Sequence, residues 1–175
     1  TLMRFRLAPE PDGRFPDYTA GQYIALRRDD CKLTRKRGVA QDGKPIFEAE
    51  VDPWGRQTVG SVTHSYSIAS APSETAEHGW LEFLVALEYG VHGLPGRLSE
   101  ALFGMSPETS CEVTYYDRIA GTFTLPARTE GCESVLCVGT GTGVAPFVSM
   151  VKELHAQGGG DDDRRYTLLH TNRTV

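Results

Sequence analysis

The 175-residue chain has no apolar run of the ~18 residues that would cross a bilayer as a helix, which excludes a transmembrane helix. The opening segment, Thr1 to Phe15, lacks the apolar block of a secretory signal. It also lacks an initiator Met, so the natural start is expected to lie upstream. Basic residues are outnumbered, 18 Lys and Arg against 23 Asp and Glu, and the net charge of −5 speaks against a dedicated nucleic-acid binder. Cysteine is sparse. Cys31, Cys111, Cys132 and Cys137 form no C-x-x-C pair, so the spacings of zinc and iron–sulfur sites are missing. The expectation is free, buried thiols in a reducing cytoplasm, with no metal site and no membrane or nucleic-acid partner. What is present suits a packed core, with 39% apolar and 23% charged residues. Glycine is in excess, at 19 residues, and its placement is informative.

The first two-thirds of the chain reads as all-β. Met3, Phe5 and Leu7 alternate with Arg4 and Arg6, as in a half-buried strand. Further strands are expected at Gln22 to Arg28, Ser65 to Ser70, Trp80 to Glu88 and Glu112 to Tyr116, with a short sixth at Gly121 to Leu125. This spacing, with Gly and Pro turns, predicts a closed barrel or sandwich. One short helix follows Gly96, where Leu98, Leu102 and Phe103 share a face. Residues 29–63 are charged and turn-rich. They read as an insertion on the barrel rim, with a hairpin strand at Pro45 to Val51.

The texture changes after Thr129. Ser134 to Val138 is a short apolar strand, Gly139-Thr140-Gly141-Thr142-Gly143 follows, and Val144 to His155 has helical periodicity with Pro146 in its first turn. Gly158 to Gly160 ends the helix, Asp161 to Asp163 forms an acidic turn, and Tyr166 to His170 is another apolar strand. Strand, glycine turn, helix, strand is a βαβ unit with parallel strands. Residues 132–175 are too few for a whole domain of ~100–150, so they read as the opening of one.

Three segments can carry chemistry. Glycines between a strand and a helix let a ligand approach the backbone, and the helix start offers free N–H groups to a phosphate. The plain alternative is an ordinary tight turn, since neither G-x-x-x-x-G-K-[ST] nor G-x-G-x-x-G is matched. His64-Ser65-Tyr66-Ser67-Ile68-Ala69-Ser70 sets an aromatic among hydroxyls, either as a ligand platform or as a barrel strand with Tyr66 in the core. Spacing alone favours the core. Gly96-Arg97-Leu98-Ser99 is either an anion site or a plain helix start with Ser99 as its cap.

In this order the segments resemble the ferredoxin–NADP reductase family, close to the bacterial ferredoxin/flavodoxin reductases. The resemblance rests on Tyr18 to Ile24, His64 to Ser70, Gly96 to Ser99, Gly121 to Phe123 and Val138 to Phe147, and leaves out only residues 29–63. It implies an antiparallel Greek-key barrel that binds FAD over residues 1–128. Residues 132–175 would be the first βαβ unit of an incomplete α/β domain binding NADP or NAD. By resemblance Tyr66 stacks on the isoalloxazine ring and Ser67 lies near its N5, making these two the catalytic pair. His64 and Ser65 extend the same flavin segment. Val85, Ala86 and Leu87 give main-chain contacts to the flavin nucleotide, and Arg97, Leu98 and Ser99 hold its pyrophosphate. Gly139, Thr140, Gly141, Thr142 and Gly143, followed by Pro146, cradle the NAD(P)H pyrophosphate, with Thr142 between flavin and nicotinamide. Asn172 and Arg173 approach the nicotinamide nucleotide. The implied activity is hydride transfer from NAD(P)H to FAD, then single electrons to ferredoxin or flavodoxin.

One departure is His64, where the family usually has Arg. An imidazole is a conditional cation, so flavin retention is expected to weaken as pH rises through neutrality, unless His64 only packs and Arg97 carries the phosphate. The run Arg35-Lys36-Arg37 could steer an acidic carrier, but nearby Asp29, Asp30 and Asp42 favour a solvated charge cluster. Two other readings stay open, the reductase component of an oxygenase system and a non-catalytic flavin-binding module.

Overall fold

The computed structural model describes residues 1–90, 93–108, 110–159 and 164–172. Alternating side chains form β1 (Leu2–Leu7) and the longer β2 (Tyr23–Lys32), whose Ile24, Leu26 and Cys31 are fully buried. The hairpin β3 (Thr34–Val39) and β4 (Pro45–Ala49) follows, then β5 (Val59–Ser67), α1 (Pro72–His78), β6 (Leu81–Ala86), α2 (Arg97–Phe103), β7 (Thr114–Ala120) and α3 (Leu125–Arg128). The last part comprises β8 (Ser134–Thr140), a 3₁₀ turn (Gly141–Val144), α4 (Ala145–Ala156) and β9 (Arg165–Thr171).

The strands form separate sheets: β1 with β6, β5–β2–β7 in that order, antiparallel β3 with β4, and parallel β8 with β9. Among the described residues the expected closed barrel is therefore not formed as a continuous ladder. Beyond Ser67 the chain reaches β6 by the Ala69 N–H to Glu82 O bond (2.8 Å), and Pro72 then turns it into α1. The chain divides into two compact units. The first comprises Thr1–Met3, Leu26–His64 and Ala86–Tyr115; the second comprises Arg4–Ala25, Ser65–Val85 and Tyr116–Val175.

Several local expectations are corrected. Gly121 to Leu125 is not a strand. Gly121 takes φ +111° against the Tyr23 ring, and Pro126 sits in the first turn of α3. The strand at Ser65 is the end of a longer one that stops at Ser67. Helix α1 occupies a stretch to which the sequence reading assigned no element. Its signal was Pro at the first turn with Glu74 two residues on, whose carboxylate accepts from the Ala71 N–H (2.9 Å). The thiols are free, but only Cys31 is buried; Cys111 and Cys132 are exposed and Cys137 is half-buried. The β3–β4 hairpin and the βαβ unit match the sequence reading, with β8 and β9 in register from Ser134↔Arg165 to Thr140↔Thr171. The aliphatic Leu136, Val138 and Leu169 of that sheet are exposed. The Asp161 to Asp163 turn lies outside the described residues. No described helix is long and apolar enough to cross a membrane.

Candidate functional site

In the first unit, β5 presents His64 to a cavity of about 400 Å³, which Arg97, Gly96, Lys44 and Phe47 also line. His64 is exposed and Arg97 half-buried, and neither side chain has a hydrogen-bond or ion-pair partner among the described residues. Arg97 is held in place from below, because Leu98 and Leu102 of α2 are buried in the core. The start of α2 is tied to the chain beyond β6 by the Gly96 N–H, which donates to Glu88 O (3.2 Å). Gly96 itself is the N-cap, contrary to the expectation for Ser99. The Ser99 hydroxyl donates back to the Gly96 carbonyl (3.0 Å), and a Cβ on Gly96 would run into that hydroxyl. A cavity lined by two basic side chains, a glycine backbone and an aromatic suits a phosphate-bearing ligand.

In the second unit, Tyr66 and Ser67 are half-buried at the end of β5, and Ser65 is exposed. The motif's final residue, Ser70, is fully buried and acts as a node. Its carbonyl accepts from Tyr18 Oη (3.0 Å) and from Ser149 Oγ of α4 (2.6 Å), and its hydroxyl accepts from the Glu82 N–H (3.1 Å). Burial pushes the Tyr18 phenol above its usual value, so it remains a hydrogen-bonding neutral group. Helix α4 is fastened further by Lys152, whose ammonium donates to Glu74 (2.9 Å) and to the buried Glu82 (3.2 Å). Ser73 donates to Glu153 through its N–H (3.0 Å) and hydroxyl (2.8 Å).

These ties fix the start of α4 and hence the glycine turn ahead of it. Gly139 is needed because a Cβ there would press the Val144 backbone at 3.1 Å. Gly141, at φ +53°, and Gly143 face open space, which is the bare backbone surface a diphosphate needs. His170 Nε2 meets the Gly141 carbonyl (3.0 Å), and the Thr140 and Thr171 hydroxyls meet across β8 and β9 (3.1 Å). Pro146 is buried in the first turn of α4 and shapes the turn rather than offering contact.

Thus the structure brings His64 and Arg97 to one cavity, and holds Tyr66, Ser67 and Gly139 to Gly143 within one unit. Leu98 and Val85 have buried side chains, leaving them backbone roles. The Leu87 N–H is already used by the Thr1 carbonyl (2.9 Å). Arg173 lies outside the described residues. Sequence reasoning did not single out Ser70, Ser149, Glu82, Lys152 or Phe47 as site residues. Ser70 lay inside the quoted motif, but nothing in local spacing links Glu82 to Lys152.

Several solved structures share the fold. The FAD/NAD-binding domain of a Vibrio cholerae nitric oxide dioxygenase superposes with a TM-score of 0.63 at 21% identity, covering 99% of this chain and 57% of that one. A Plasmodium falciparum ferredoxin–NADP⁺ reductase gives 0.57 at 14% identity, with 99% and 54% covered. An Amycolatopsis cytochrome P450 reductase gives 0.55 at 21%, with 99% and 39% covered. The chain spans about half the length of the first two. No protein-family profile matches the sequence, and no curated relative is similar to it.

Proposed function

We infer that this chain is the FAD-binding part, residues 1–128, and the start of the NAD(P)-binding part, residues 132–175, of a flavin-dependent NAD(P)H oxidoreductase. The observation that carries this reading is the meeting of His64 and Arg97, far apart in sequence, at one cavity, with His64 contiguous with the Ser65-Tyr66-Ser67 run. FAD, when bound, supplies two-electron acceptance at N5 and release of single electrons. Tyr66 would offer a ring face to the isoalloxazine, and the Ser67 hydroxyl would supply a hydrogen bond to the flavin. Arg97 would give the diphosphate a permanent charge, and His64 a ring N–H donor. Ser65 and the backbone of Val85 and Ala86 would complete the flavin contacts, together with Leu98 and Ser99, whereas the Leu87 N–H is held by the Thr1 carbonyl.

The turn Gly139 to Gly143 receives the NAD(P)H diphosphate on bare backbone at the start of α4, with Thr142 facing the nicotinamide. Hydride transfer needs no proton relay, so no acid–base pair is assigned. Ferredoxin or flavodoxin is the proposed acceptor, in the cytoplasm. A second reading, the reductase component of an oxygenase system, is supported by the fold shared with an Amycolatopsis cytochrome P450 reductase. Of the basic run that an acidic carrier would meet, Arg35 and Arg37 both pair with the single carboxylate of Glu48 (2.8 and 3.6 Å), which offsets one of the three charges.

The test is flavin retention. Purified protein incubated with FAD and desalted keeps about one FAD per chain with quenched fluorescence, and Tyr66→Ala loses most of it. Protein that keeps no flavin contradicts the reading.

A further inference from the structure

The glycine turn ahead of α4 is held on both faces of the β8–β9 sheet by side chains of β9. Parallel register sets Gly139 opposite His170 and Thr140 opposite Thr171. Successive side chains alternate between faces, so His170 and Thr171 reach the turn from opposite sides of the sheet. The Thr171 and Thr140 hydroxyls meet at 3.1 Å. On the other face Gly139 has no side chain, which leaves room for the His170 ring to lean across it. Its Nε2 lies 3.0 Å from the Gly141 carbonyl oxygen.

A carbonyl oxygen only accepts, so His170 Nε2 carries the proton of this bond. What the bond fixes is a peptide plane. Gly141 takes φ +53°, and a Cβ there would meet open space. A glycine backbone adopts other conformations at little cost, so this peptide can turn over unless it is held. In a trans peptide the carbonyl and the following N–H point in opposite directions. With the Gly141 carbonyl turned to His170, the Thr142 N–H is turned away from it. Thr142 is the second residue of the 3₁₀ turn Gly141–Val144, which runs straight into α4, and the leading N–H groups of such a turn have no acceptor inside it. The bond from β9 therefore aims a backbone donor toward the side on which the proposed diphosphate would lie.

We propose that His170 is a positioning residue for nucleotide binding: by holding the Gly141 carbonyl it presets the Thr142 N–H, so that the ligand need not order the turn. The proposal rests on the NAD(P)H reading above and adds a side chain of β9 to a site otherwise made by the glycine turn. His170 touches no ligand atom in this role and acts through the Gly141–Thr142 peptide. Preorganisation of this kind raises affinity by removing an ordering cost from binding.

The experiment measures equilibrium binding of NADPH, NADH and FAD to wild-type protein, His170→Leu and His170→Gln, with thermal melts of each. Leucine removes the donor, and the glutamine amide restores one at similar reach. Wild-type protein binds at least one of the two nicotinamide nucleotides. His170→Leu binds it about three- to tenfold more weakly, as the loss of one hydrogen bond implies. Its FAD affinity stays within about twofold and its Tm within about 2 °C, because the bond is exposed and remote from the flavin segment. His170→Gln recovers the nucleotide affinity to within about twofold. Nucleotide affinity unchanged in His170→Leu overturns the role of His170 and leaves the flavin reading standing. A His170→Leu protein that loses FAD affinity and thermal stability along with the nucleotide marks a general structural role and also overturns it. FAD-loaded wild-type protein that binds neither nucleotide overturns the NAD(P)H reading, and this inference with it.

Discussion

Lys152→Met tests how α4, and with it the glycine turn, is held in the second unit. The Lys152 ammonium meets Glu74 at 2.9 Å and Glu82 at 3.2 Å, and the Glu82 side chain is only 4% exposed. Removing the last partner of a buried charge costs ~3–5 kcal/mol. Here Glu82 keeps Arg6 at 3.1 Å, so the loss is nearer that of one charged hydrogen bond, ~1.5–3 kcal/mol. Lys152 is itself 32% exposed, which places the expected loss at about 2 kcal/mol. At roughly 2–4 °C per kcal/mol for a chain of this size, Tm falls by about 4–8 °C. The pH signature follows from Glu82. Burial would raise its carboxyl, but hydrogen bonds from Lys152 and Arg6 outweigh burial and hold it below the usual carboxylate value. A depressed folded value gives stabilisation that is complete above the ordinary carboxylate range and lost as pH falls through the depressed one. The gap between wild type and Lys152→Met therefore narrows on acidification. Thermal melts followed by circular dichroism at neutral and acidic pH measure it. A drop below about 1 °C at neutral pH, or a gap that widens in acid, refutes the reasoning.

Glycine substitutions separate scaffold from ligand surface. Gly21→Ala destabilises by about 3 kcal/mol or more, because φ is +101° and a Cβ there would overlap the Phe123 carbonyl; a thermal melt within about 2 °C of wild type would contradict this. Gly139→Ala lowers Tm through contact with the Val144 backbone. Gly143→Ala, facing open space, leaves stability within about 0.5 kcal/mol and instead weakens NAD(P)H binding about tenfold or more. Paired melts and nucleotide titrations check both, and unchanged nucleotide affinity in Gly143→Ala removes the turn from the site.

The βαβ unit and the hairpin were legible because their signals are local: apolar runs, a glycine turn, a proline at a helix start. The closed barrel was not, since strand pairing depends on contacts far apart in sequence, and β5 gives way to α1 at Pro72. Gly121 to Leu125 alternates like a strand, yet Gly121's left-handed backbone and Pro126 make it a bend. The site divides the same way. His64 and Tyr66 stand in a recognisable run, whereas Glu82–Lys152, 70 residues apart, and the placing of Phe47 at one cavity with His64 appear only once the chain is folded. Ser99 was misread as a cap because Ser favours that position, but Gly96 takes it and Ser99 closes back on the Gly96 carbonyl.

The most direct test of the central claim is anaerobic titration of the FAD-reconstituted protein with NADPH and, separately, NADH, following the visible flavin band. The account predicts that one nucleotide bleaches the band stoichiometrically. A flavin band that neither nucleotide bleaches would contradict it.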